Sequence, residues 1–306
     1  MIFLGIDTSC YTTSLAAFDG GKMISKRKLL EVKKGQKGLR QSDALFLHIK
    51  NLPDLYEELA REIDTKKIGA VGVSFAPRRV EGSYMPVFLA GTTFAKAIAT
   101  TLNVPVFYFS HQEGHIAASL YSIDKLDLPR PFVAVHLSGG TTEIIRVKNG
   151  YECEIIGKTL DISAGSLIDR IGVQAGLPFP CGAHMERLVS QNHIKPPVSV
   201  KGGDINFSGA ETYFKKVLND ENMGEVFHGV FLCVAKSLKK ALLNVAADEE
   251  KIVFAGGVAS NSIIKKYLID TFGGRALFSL PEYATDNACG TAYLAYSEYF
   301  KSNMKE

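Results

Sequence analysis

The feature of this sequence that most constrains its fold is a short pattern that occurs twice, 129 positions apart. Residues 4–18 read LGIDTSCYTTSLAAF and residues 133–147 read VAVHLSGGTTEIIRV. Each copy is an apolar run, a turn of small hydroxylated or glycine residues and a second apolar run, which predicts a hairpin. A tip rich in backbone N–H and hydroxyl donors suits an anion such as phosphate. The repetition favours two similar lobes that hold one nucleotide over two ordinary hairpins with polar turns.

The segments between and after the two copies alternate between strand and helix patterns, which predicts mostly parallel or mixed sheets covered by helices. After the first hairpin we predict a helix over 45–63 interrupted at Pro53, a strand over 68–75, a helix over 89–102 and a strand over 104–109. After the second we predict helices over 163–175, 211–218 and 226–247, a strand over 252–254 and a final helix over 286–300, with a loop over 194–203.

Composition sets mild limits on the class of protein. With 306 residues and 46% hydrophobic content, the chain can bury one large core or two moderate ones. The five cysteines are scattered and form no C-x-x-C pair, which suits a reducing compartment and argues against a disulfide framework or zinc ribbon. No apolar stretch approaches membrane-spanning length and no charged leader precedes the first strand. We therefore expect a soluble, cytoplasmic protein with no membrane contact.

The charge is nearly balanced at +3, but residues 22–40 are strongly basic. A run of this kind is either a solvated face or a surface that contacts nucleic-acid phosphates. The segment has one acidic residue, Glu31, and eight basic ones: Lys22, Lys26, Arg27, Lys28, Lys33, Lys34, Lys37 and Arg40.

Two histidines follow a predicted strand in the segment SHQEGH. Ser110 and Glu113 form a capping-box pattern that predicts the start of a helix. On that helix His111 and His115 lie one turn apart on one face, where two imidazoles can chelate a metal ion, although two polar histidines on an amphipathic helix fit the same spacing. Asp286 is the best remote candidate for a third ligand. Two histidines and a carboxylate leave coordination positions open, which suits zinc or iron(II) acting on a substrate.

Two weaker patterns point to a nucleoside. In FAGGVASN the two glycines permit close approach to a flat ring or ribose, and Asn261 at the following helix start can hydrogen-bond either a ligand or the backbone. In TLDISAGSLID the carboxylates Asp161 and Asp169 flank a predicted helix. One of them can take ribose hydroxyls, and capping or surface charge is the alternative for both.

The motifs LGIDTSC, SHQEGH, LSGGTTEI, GKTLDISAGSLID, FPCGAHME, INFSGAET, FAGGVASN and ATDNA occur in an order that resembles the TsaD (Gcp) family and spans nearly the whole chain. The resemblance implies an α/β, two-lobed actin-like or sugar-kinase-type (ASKHA) fold with duplicated mixed-sheet domains, here 1–131 with 286–306 and 132–285. It also implies transfer of a threonylcarbamoyl group from threonylcarbamoyl-adenylate to the adenosine beside the anticodon of certain transfer RNAs.

The resemblance implies roles for individual residues. It assigns a divalent metal, iron or zinc, to His111, His115 and Asp286, and catalytic contacts to Ser138 and Thr141. It assigns an adenine nucleotide or acyl-adenylate to Leu137, Ser138, Gly139, Gly140, Thr141, Asp169, Gly182, Glu186 and Asn261. The partners it implies are transfer RNA, the acyl-adenylate substrate and subunits similar to TsaB and TsaE.

The sequence departs from the family pattern near the substrate groups, which points to a divergent paralogue. Thr141 stands where the family has a histidine, Ser166 where it has a glutamate and Glu211 where it has a lysine. Residues 76–80, APRRV, replace a Gly-Pro-Gly-Leu turn, and 180–182, PCG, keep only the second glycine of Pro-Gly-Gly. Two alternatives stay open: a carbamoyl- or acyl-transferase or adenylate-using enzyme acting on a small molecule, and a non-catalytic nucleotide-binding partner subunit.

Overall fold

In the computed structural model, which describes residues 1–9, 11–31, 39–191, 194–283 and 288–303, the first copy of the repeat folds as the predicted hairpin. Its strands are β1 (Ile2–Asp7) and β2 (Thr12–Phe18), which pair antiparallel with Leu4 opposite Ala17. Every residue of both strands is buried. This is the burial expected of strands in a sheet covered on both faces.

The remaining elements follow in chain order. In the first half these are β3 (Met23–Leu29), α1 (Gln41–Ala60), β4 (Ile68–Ala76), α2 (Phe88–Leu102), β5 (Val106–Ser110) and α3 (His111–Ser122). Next come β6 (Phe132–Leu137), β7 (Thr142–Val147), β8 (Cys153–Lys158), α4 (Ala164–Gln174), α5 (Gly182–Arg187), β9 (Ser199–Lys201) and β10 (Asp204–Asn206). The last are α6 (Ser208–Val217), α7 (Met223–Val245), β11 (Ile252–Ala255), α8 (Ser262–Phe272), β12 (Ala276–Phe278) and α9 (Cys289–Asn303).

The two large sheets have the same strand order. The first is β3-β2-β1-β4-β5, and the second, read from β8, is β8-β7-β6-β11-β12. In each, a central strand pairs antiparallel with the next strand of its hairpin and parallel with a later strand that follows a helical connection. The duplicated, mixed-sheet α/β fold is thereby confirmed. The chain divides into two compact units, a first unit of Met1–Leu126 with Glu282–Glu306 and a second unit of Asp127–Pro281.

Helix α9 packs closely on the sheet and on α3 of the first unit because glycines remove the side chains at the contacts. A Cβ at Gly5 would lie 2.4 Å from the Ala288 carbonyl oxygen, and one at Gly72 would lie 2.5 Å from that of Thr291. A Cβ at Gly290 would overlap the Gly114 carbonyl oxygen at 1.8 Å. These approaches fix the described start of α9 against the helix that carries the two histidines.

Two local predictions were wrong. Helix α1 continues through Pro53 rather than breaking there. Pro53 lies on the exposed side of the helix, where the Ile49 carbonyl, which loses its usual donor, can be solvated. The segment 194–203 is not only loop, because β9 pairs with β10 across Gly202 and Gly203. Gly202 has a φ of +59°, so the turn uses a backbone conformation that favours glycine.

The second unit has a core of large apolar side chains around α7. Phe207, Phe214, Phe227, Phe231 and Phe254 are each completely buried. They belong to one buried cluster that also contains Val133, Val135 and Leu137 of β6, so the sheet and the helices of the second unit share a single core. None of the helices in the described parts of the chain is both long enough and apolar enough to cross a membrane.

Candidate functional site

The two histidines lie on the first turns of α3, as predicted. Ser110 is the N-cap, and the predicted capping box is present: the Ser110 hydroxyl accepts from Glu113 N, and the Glu113 carboxylate accepts from Ser110 N. The ring centroids of His111 and His115 are 4.2 Å apart, and their Nε2 atoms are 2.9 Å apart. The sequence therefore places two imidazole nitrogens at one point on the surface of α3.

A buried carboxylate orients the first of these rings. Asp7, the last residue of β1, is 1% exposed, and its Oδ2 lies 2.8 Å from His111 Nδ1. Ser74 Oγ also donates to Oδ2 at 2.5 Å, and Ser9 N donates to Oδ1 at 2.8 Å. Burial raises the pKa of Asp7, but the charge and hydrogen bond of His111 and the bonds from Ser74 and Ser9 outweigh it and lower the pKa. Asp7 is thus held as an anion.

This arrangement fits the requirements of a metal site in one respect. A carboxylate on the Nδ1 side of a histidine fixes its tautomer and directs Nε2 outward, which is how metal-binding histidines are usually supported. Within the described residues, however, no group of three or more His, Cys, Asp or Glu side chains is arranged to hold a metal ion. The third predicted ligand, Asp286, lies outside the described residues. Asp7 and Ser74 were not predicted, although a carboxylate at the end of an apolar strand was a visible signal.

The segment 76–80, which differs from the family pattern, contacts the start of α3 through Arg79. Arg79 Nε lies 3.3 Å from both oxygens of Glu113, and its Nη2 donates to the Tyr108 carbonyl at 2.7 Å. Its guanidinium also lies over the Phe75 ring, 5.5 Å from the centroid. Arg79 therefore fixes the position of the Glu113 side chain, which caps the helix turn that carries the two histidines.

The first hairpin tip does not present its hydroxyls as the repeat suggested. Thr8, Ser9 and Thr13 are completely buried. Thr8 donates to the Val87 carbonyl at 2.9 Å, and Thr13 lies 2.8 Å from His48 Nδ1. The Thr8 and Thr13 hydroxyls are therefore engaged inside the first unit. That this tip also holds a phosphate stays a prediction. Cys10, at the same tip, lies outside the described residues.

The second tip is open. Ser138 N donates to the Thr141 carbonyl at 2.9 Å, and Thr141 N donates to Ser138 Oγ at 3.1 Å, which closes a tight turn. Between them Gly139 and Gly140 are exposed. Leu137, in contrast, is completely buried within the core of the second unit. Of the predicted Leu137–Thr141 contact segment, the turn faces solvent and the leucine side chain does not.

The start of α4 fixes the orientation of this turn. The Gly139 carbonyl oxygen lies 2.5 Å from Ser163 Oγ and 3.0 Å from Ser166 Oγ, and both hydroxyls can donate to it. Because a trans peptide is planar, the Gly140 N–H points to the opposite side. A Cβ at Gly165 would lie 2.5 Å from the Ser138 carbonyl oxygen, so glycine is required there. Ser166, where the family has a glutamate, thus has a defined role in this chain.

Most of the predicted nucleotide residues line one cavity of about 390 Å³, named here the inner cavity. Its lining includes Gly139, Asp169, Gly182, Glu186 and Asn261. The Gly256–Gly257 turn forms one edge: Gly257 lines the cavity, and a Cβ at Gly256, whose φ is +96°, would lie 2.1 Å from the Leu137 carbonyl oxygen. A volume of this order is within the range of small-molecule sites. The second unit therefore brings together residues spread over more than a hundred positions.

Glu186 and Asn261 form one linked pair at the start of α8. Asn261 is the N-cap, with its Oδ1 accepting from Ile264 N at 3.0 Å and its Nδ2 donating to Glu186 at 2.8 Å. The other oxygen of Glu186 accepts from Ser262 N at 2.8 Å. Of the two predicted roles of Asn261, the backbone one is present, and the residue also lines the inner cavity.

The two candidate carboxylates have different surroundings. Asp161 accepts hydrogen bonds from Phe207 N, Ser208 N and Ser208 Oγ at the start of α6. Burial raises its pKa, but these bonds outweigh it and hold the pKa at about 2. Asp169 lies within α4, and burial raises its pKa while the bond from Cys181 N opposes the shift. Asp161 is thus a helix cap, and Asp169 is the carboxylate that faces the inner cavity.

The basic stretch is partly engaged where it is described. Lys26 forms an ion pair with Glu62, Arg40 forms one with Asp43 at 3.1 Å, and Arg27 donates to the Glu282 carbonyl at 3.4 Å. Lys33, Lys34 and Lys37 lie outside the described residues. The basic surface therefore stays a prediction.

Two mixed sheets of the same strand order, each built on a hairpin, form an actin-like or sugar-kinase-type fold. The fold is similar to the activator of 2-hydroxyisocaproyl-CoA dehydratase from Clostridium difficile, with a TM-score of 0.57 and 15% identity over 100% of this chain and 98% of that one. It is also similar to the ROK hexokinase from Thermus thermophilus, with a TM-score of 0.55 and 14% identity over 98% and 100% of the two chains.

Sequence comparison identifies the family within this class. Residues 27–293 match the family described as TsaD, tRNA N6-adenosine threonylcarbamoyltransferase. A curated relative with that name from Clostridium perfringens is 31% identical over 331 aligned residues, which cover 100% of this chain and 95% of the relative. The chain belongs to the TsaD family and is a transferase of that family.

Proposed function

We propose that this protein transfers a threonylcarbamoyl group from threonylcarbamoyl-adenylate to the adenosine beside the anticodon of transfer RNA, with the help of a divalent metal ion. The observation that carries the proposal is the inner cavity. It gathers the predicted nucleotide residues Gly139, Asp169, Gly182, Glu186 and Asn261 in one unit of a TsaD-family chain.

The second unit would hold the adenylate. The Ser138–Thr141 turn offers the outward Gly140 N–H to a phosphate oxygen, because Ser163 and Ser166 fix the opposite carbonyl. Asp169, which lines the inner cavity, would accept a hydrogen bond from a ribose hydroxyl. Gly257, which lines the cavity and has no atom within 4 Å of a Cβ position, would leave room for a flat base. Contacts to the phosphate, the ribose and the base would hold the donor in one orientation, which lowers the entropic part of the barrier to transfer.

The first unit would hold the metal through His111, His115 and Asp286. Asp7 supports this part of the proposal because it contacts Nδ1 of His111 and leaves Nε2 directed away from it. A bound ion would supply Lewis-acid polarisation of the carbamoyl oxygen.

The transfer itself needs little further assistance. The N6 amine of the adenosine forms a bond to the carbamoyl carbon, the bond from that carbon to the phosphate oxygen breaks, and AMP leaves while the amine loses a proton. Adenylate is a good leaving group, so the main task of the residues is to orient and to stabilise developing charge. This accounts for a site in which Thr141 replaces the family histidine and the other nucleotide residues are kept.

The test is an assay of the full chain with threonylcarbamoyl-adenylate and unmodified transfer RNA, with and without TsaB-like and TsaE-like partners. The RNA is digested to nucleosides and analysed by mass spectrometry. A transfer RNA with guanosine in place of the acceptor adenosine is the control. We expect threonylcarbamoyladenosine from the first RNA only. Consumption of the adenylate without any modified nucleoside, in the presence of the partners, would contradict the proposal.

A further inference from the structure

A second cavity opens beside the inner one and has a different chemistry. This outer cavity, of about 660 Å³, lies within the second unit along the exposed face of α4. It shares Gly139, Asp169 and Phe179 with the inner cavity. A molecule in the outer cavity would therefore be in contact with the residues that line the donor site.

Two cations, Arg170 and Lys215, lie on the wall of the outer cavity. Arg170 Nη1 lies 3.0 Å and Lys215 Nζ 2.6 Å from opposite oxygens of the Glu211 carboxylate. The side chains of the two cations are 53% and 43% exposed, whereas that of Glu211 is 11% exposed. The nearly buried Glu211 carboxylate thus holds the partly exposed cations of Arg170 and Lys215 in place. The lining also contains the Asp169 carboxyl, which is at the border with the inner cavity and accepts from Cys181 N.

An aromatic ring stands at the border between the two cavities. Phe179 lines both, and it is 74% exposed. A large apolar ring so exposed beside two cations resembles the combination that binds single-stranded nucleic acid, in which bases stack on aromatic rings and basic side chains follow the phosphates.

We propose that the outer cavity binds the RNA strand that carries the acceptor adenosine, with a backbone phosphate on Arg170 and Lys215 and a base stacked on Phe179. The proposal rests on the proposed function, because it takes RNA as the acceptor. It gives Glu211, which replaces the family lysine, the role of positioning the two cations.

The donor cannot readily fill this site. Threonylcarbamoyl-adenylate has one phosphate, which the Ser138–Thr141 turn is placed to hold. A further phosphate at Arg170 and Lys215 must come from another molecule. Cations that are about half exposed are also typical of contacts to a nucleic-acid backbone, which keeps part of its hydration.

The experiment measures binding of an anticodon stem-loop RNA by fluorescence anisotropy between 0.05 and roughly 0.2 M salt, with AMP binding measured in parallel. The variants are Arg170→Gln and Lys215→Gln, tested singly so that Glu211 keeps one partner. Lys240→Gln and Lys266→Gln, exposed residues of the same unit outside both cavities, are the matched charge controls. Phe179→Ala is compared with Phe179→Tyr, which keeps an aromatic ring.

We expect each of the two cavity variants to weaken RNA binding roughly fivefold at 0.1 M salt and to flatten the salt slope by about 0.7, with unchanged AMP affinity. Phe179→Ala should weaken RNA binding about tenfold, and Phe179→Tyr should restore it. If wild-type protein binds RNA but the cavity variants behave as the controls do, the outer cavity is not the RNA site. Loss of AMP affinity in place of RNA affinity would assign the cations to the donor and overturn the inference. Absence of salt-dependent RNA binding by the wild type would instead remove the proposed acceptor itself.

Discussion

The two units share a strand order, yet their hairpin tips have opposite chemistry. The tip of the first unit turns its hydroxyls inward and ends β1 with a buried anion, Asp7, that holds His111. The tip of the second unit exposes Gly139 and Gly140, and two serines of α4 fix its peptide. A duplicated backbone therefore supports two different sites, because the residues at the strand ends differ while the sheet that presents them does not.

Under the proposed function, the first unit binds the metal and the second unit binds the adenylate. The largest effect should come from removing both imidazoles. We expect His111→Ala/His115→Ala to lose bound metal and to lower threonylcarbamoyl transfer by about a thousandfold or more, since metal polarisation contributes several kcal/mol. Elemental analysis and the transfer assay measure both effects. His228→Ala, a histidine of the second unit, is the control. Equal metal in the double variant and the control would remove the assignment.

A smaller effect should follow from changing Asp7, which contacts the proposed metal ligand His111. Asp7→Asn keeps the shape of the side chain but removes the charge that orients His111. We expect metal affinity to fall about 10- to 100-fold, as is usual for such supporting carboxylates. Ser74→Ala, which removes only one hydrogen bond to Asp7, should lower it less. Competition with a chelator gives both affinities. If Asp7→Asn binds metal as the wild type does, Asp7 has only a structural role.

The proposed phosphate contact of the second unit can be tested by adding one methyl group at Gly165. Gly165→Ala would place a Cβ 2.5 Å from the Ser138 carbonyl oxygen and displace the turn. We expect AMP affinity to fall by about tenfold, the size of one lost hydrogen bond to a charged group. Gly209→Ala, where a Cβ meets nothing within 4 Å, is the matched control and should bind AMP normally. Calorimetry that shows equal affinity for both variants would place the nucleotide away from the turn.

The smallest expected effect is on stability and concerns Asp161, which we assign to capping rather than to nucleotide binding. Its pKa falls from 3.8 to about 2 on folding, so it stabilises the folded state above pH 4 and loses this effect as the pH falls toward 2. We expect Asp161→Asn to cost about 1 kcal/mol at pH 7, after a discount for solvent screening, and to cost progressively less as the pH falls through about 2. Urea unfolding at several pH values measures this, with the exposed Asp270→Asn as control. A cost that does not change with pH would contradict the electrostatic cap.

Much of the fold was readable from the sequence because its signals are local. The repeated apolar-turn-apolar pattern predicted both hairpins, and Ser110 with Glu113 predicted the start of α3. Pro53 misled because a proline on the solvent side of a helix can be tolerated, and exposure is not a local property. The β9–β10 hairpin was missed because its strands are short and Gly202 and Gly203 also suit a loop.

The site was readable only in part. The family motifs indicated five of the residues that line the inner cavity, whereas the contacts that hold such residues in place join distant segments. Ser163 and Ser166 reach the Gly139 carbonyl from a different element, and Asp7 and His111 are 104 positions apart. Glu211 read as a lost lysine in the sequence, but in the fold it holds Arg170 and Lys215. The sequence alone does not show which charged side chains will form ion pairs in the folded chain.

The most direct test of the division between the two units is a crossed measurement on two variants. Metal content and AMP affinity are both determined for His111→Ala/His115→Ala and for Gly165→Ala. We predict that the histidine variant loses the metal and keeps its AMP affinity within about twofold, and that the glycine variant keeps the metal and loses AMP affinity. If the histidine variant loses AMP affinity, or the glycine variant loses the metal, the two sites are not separate and the account is wrong.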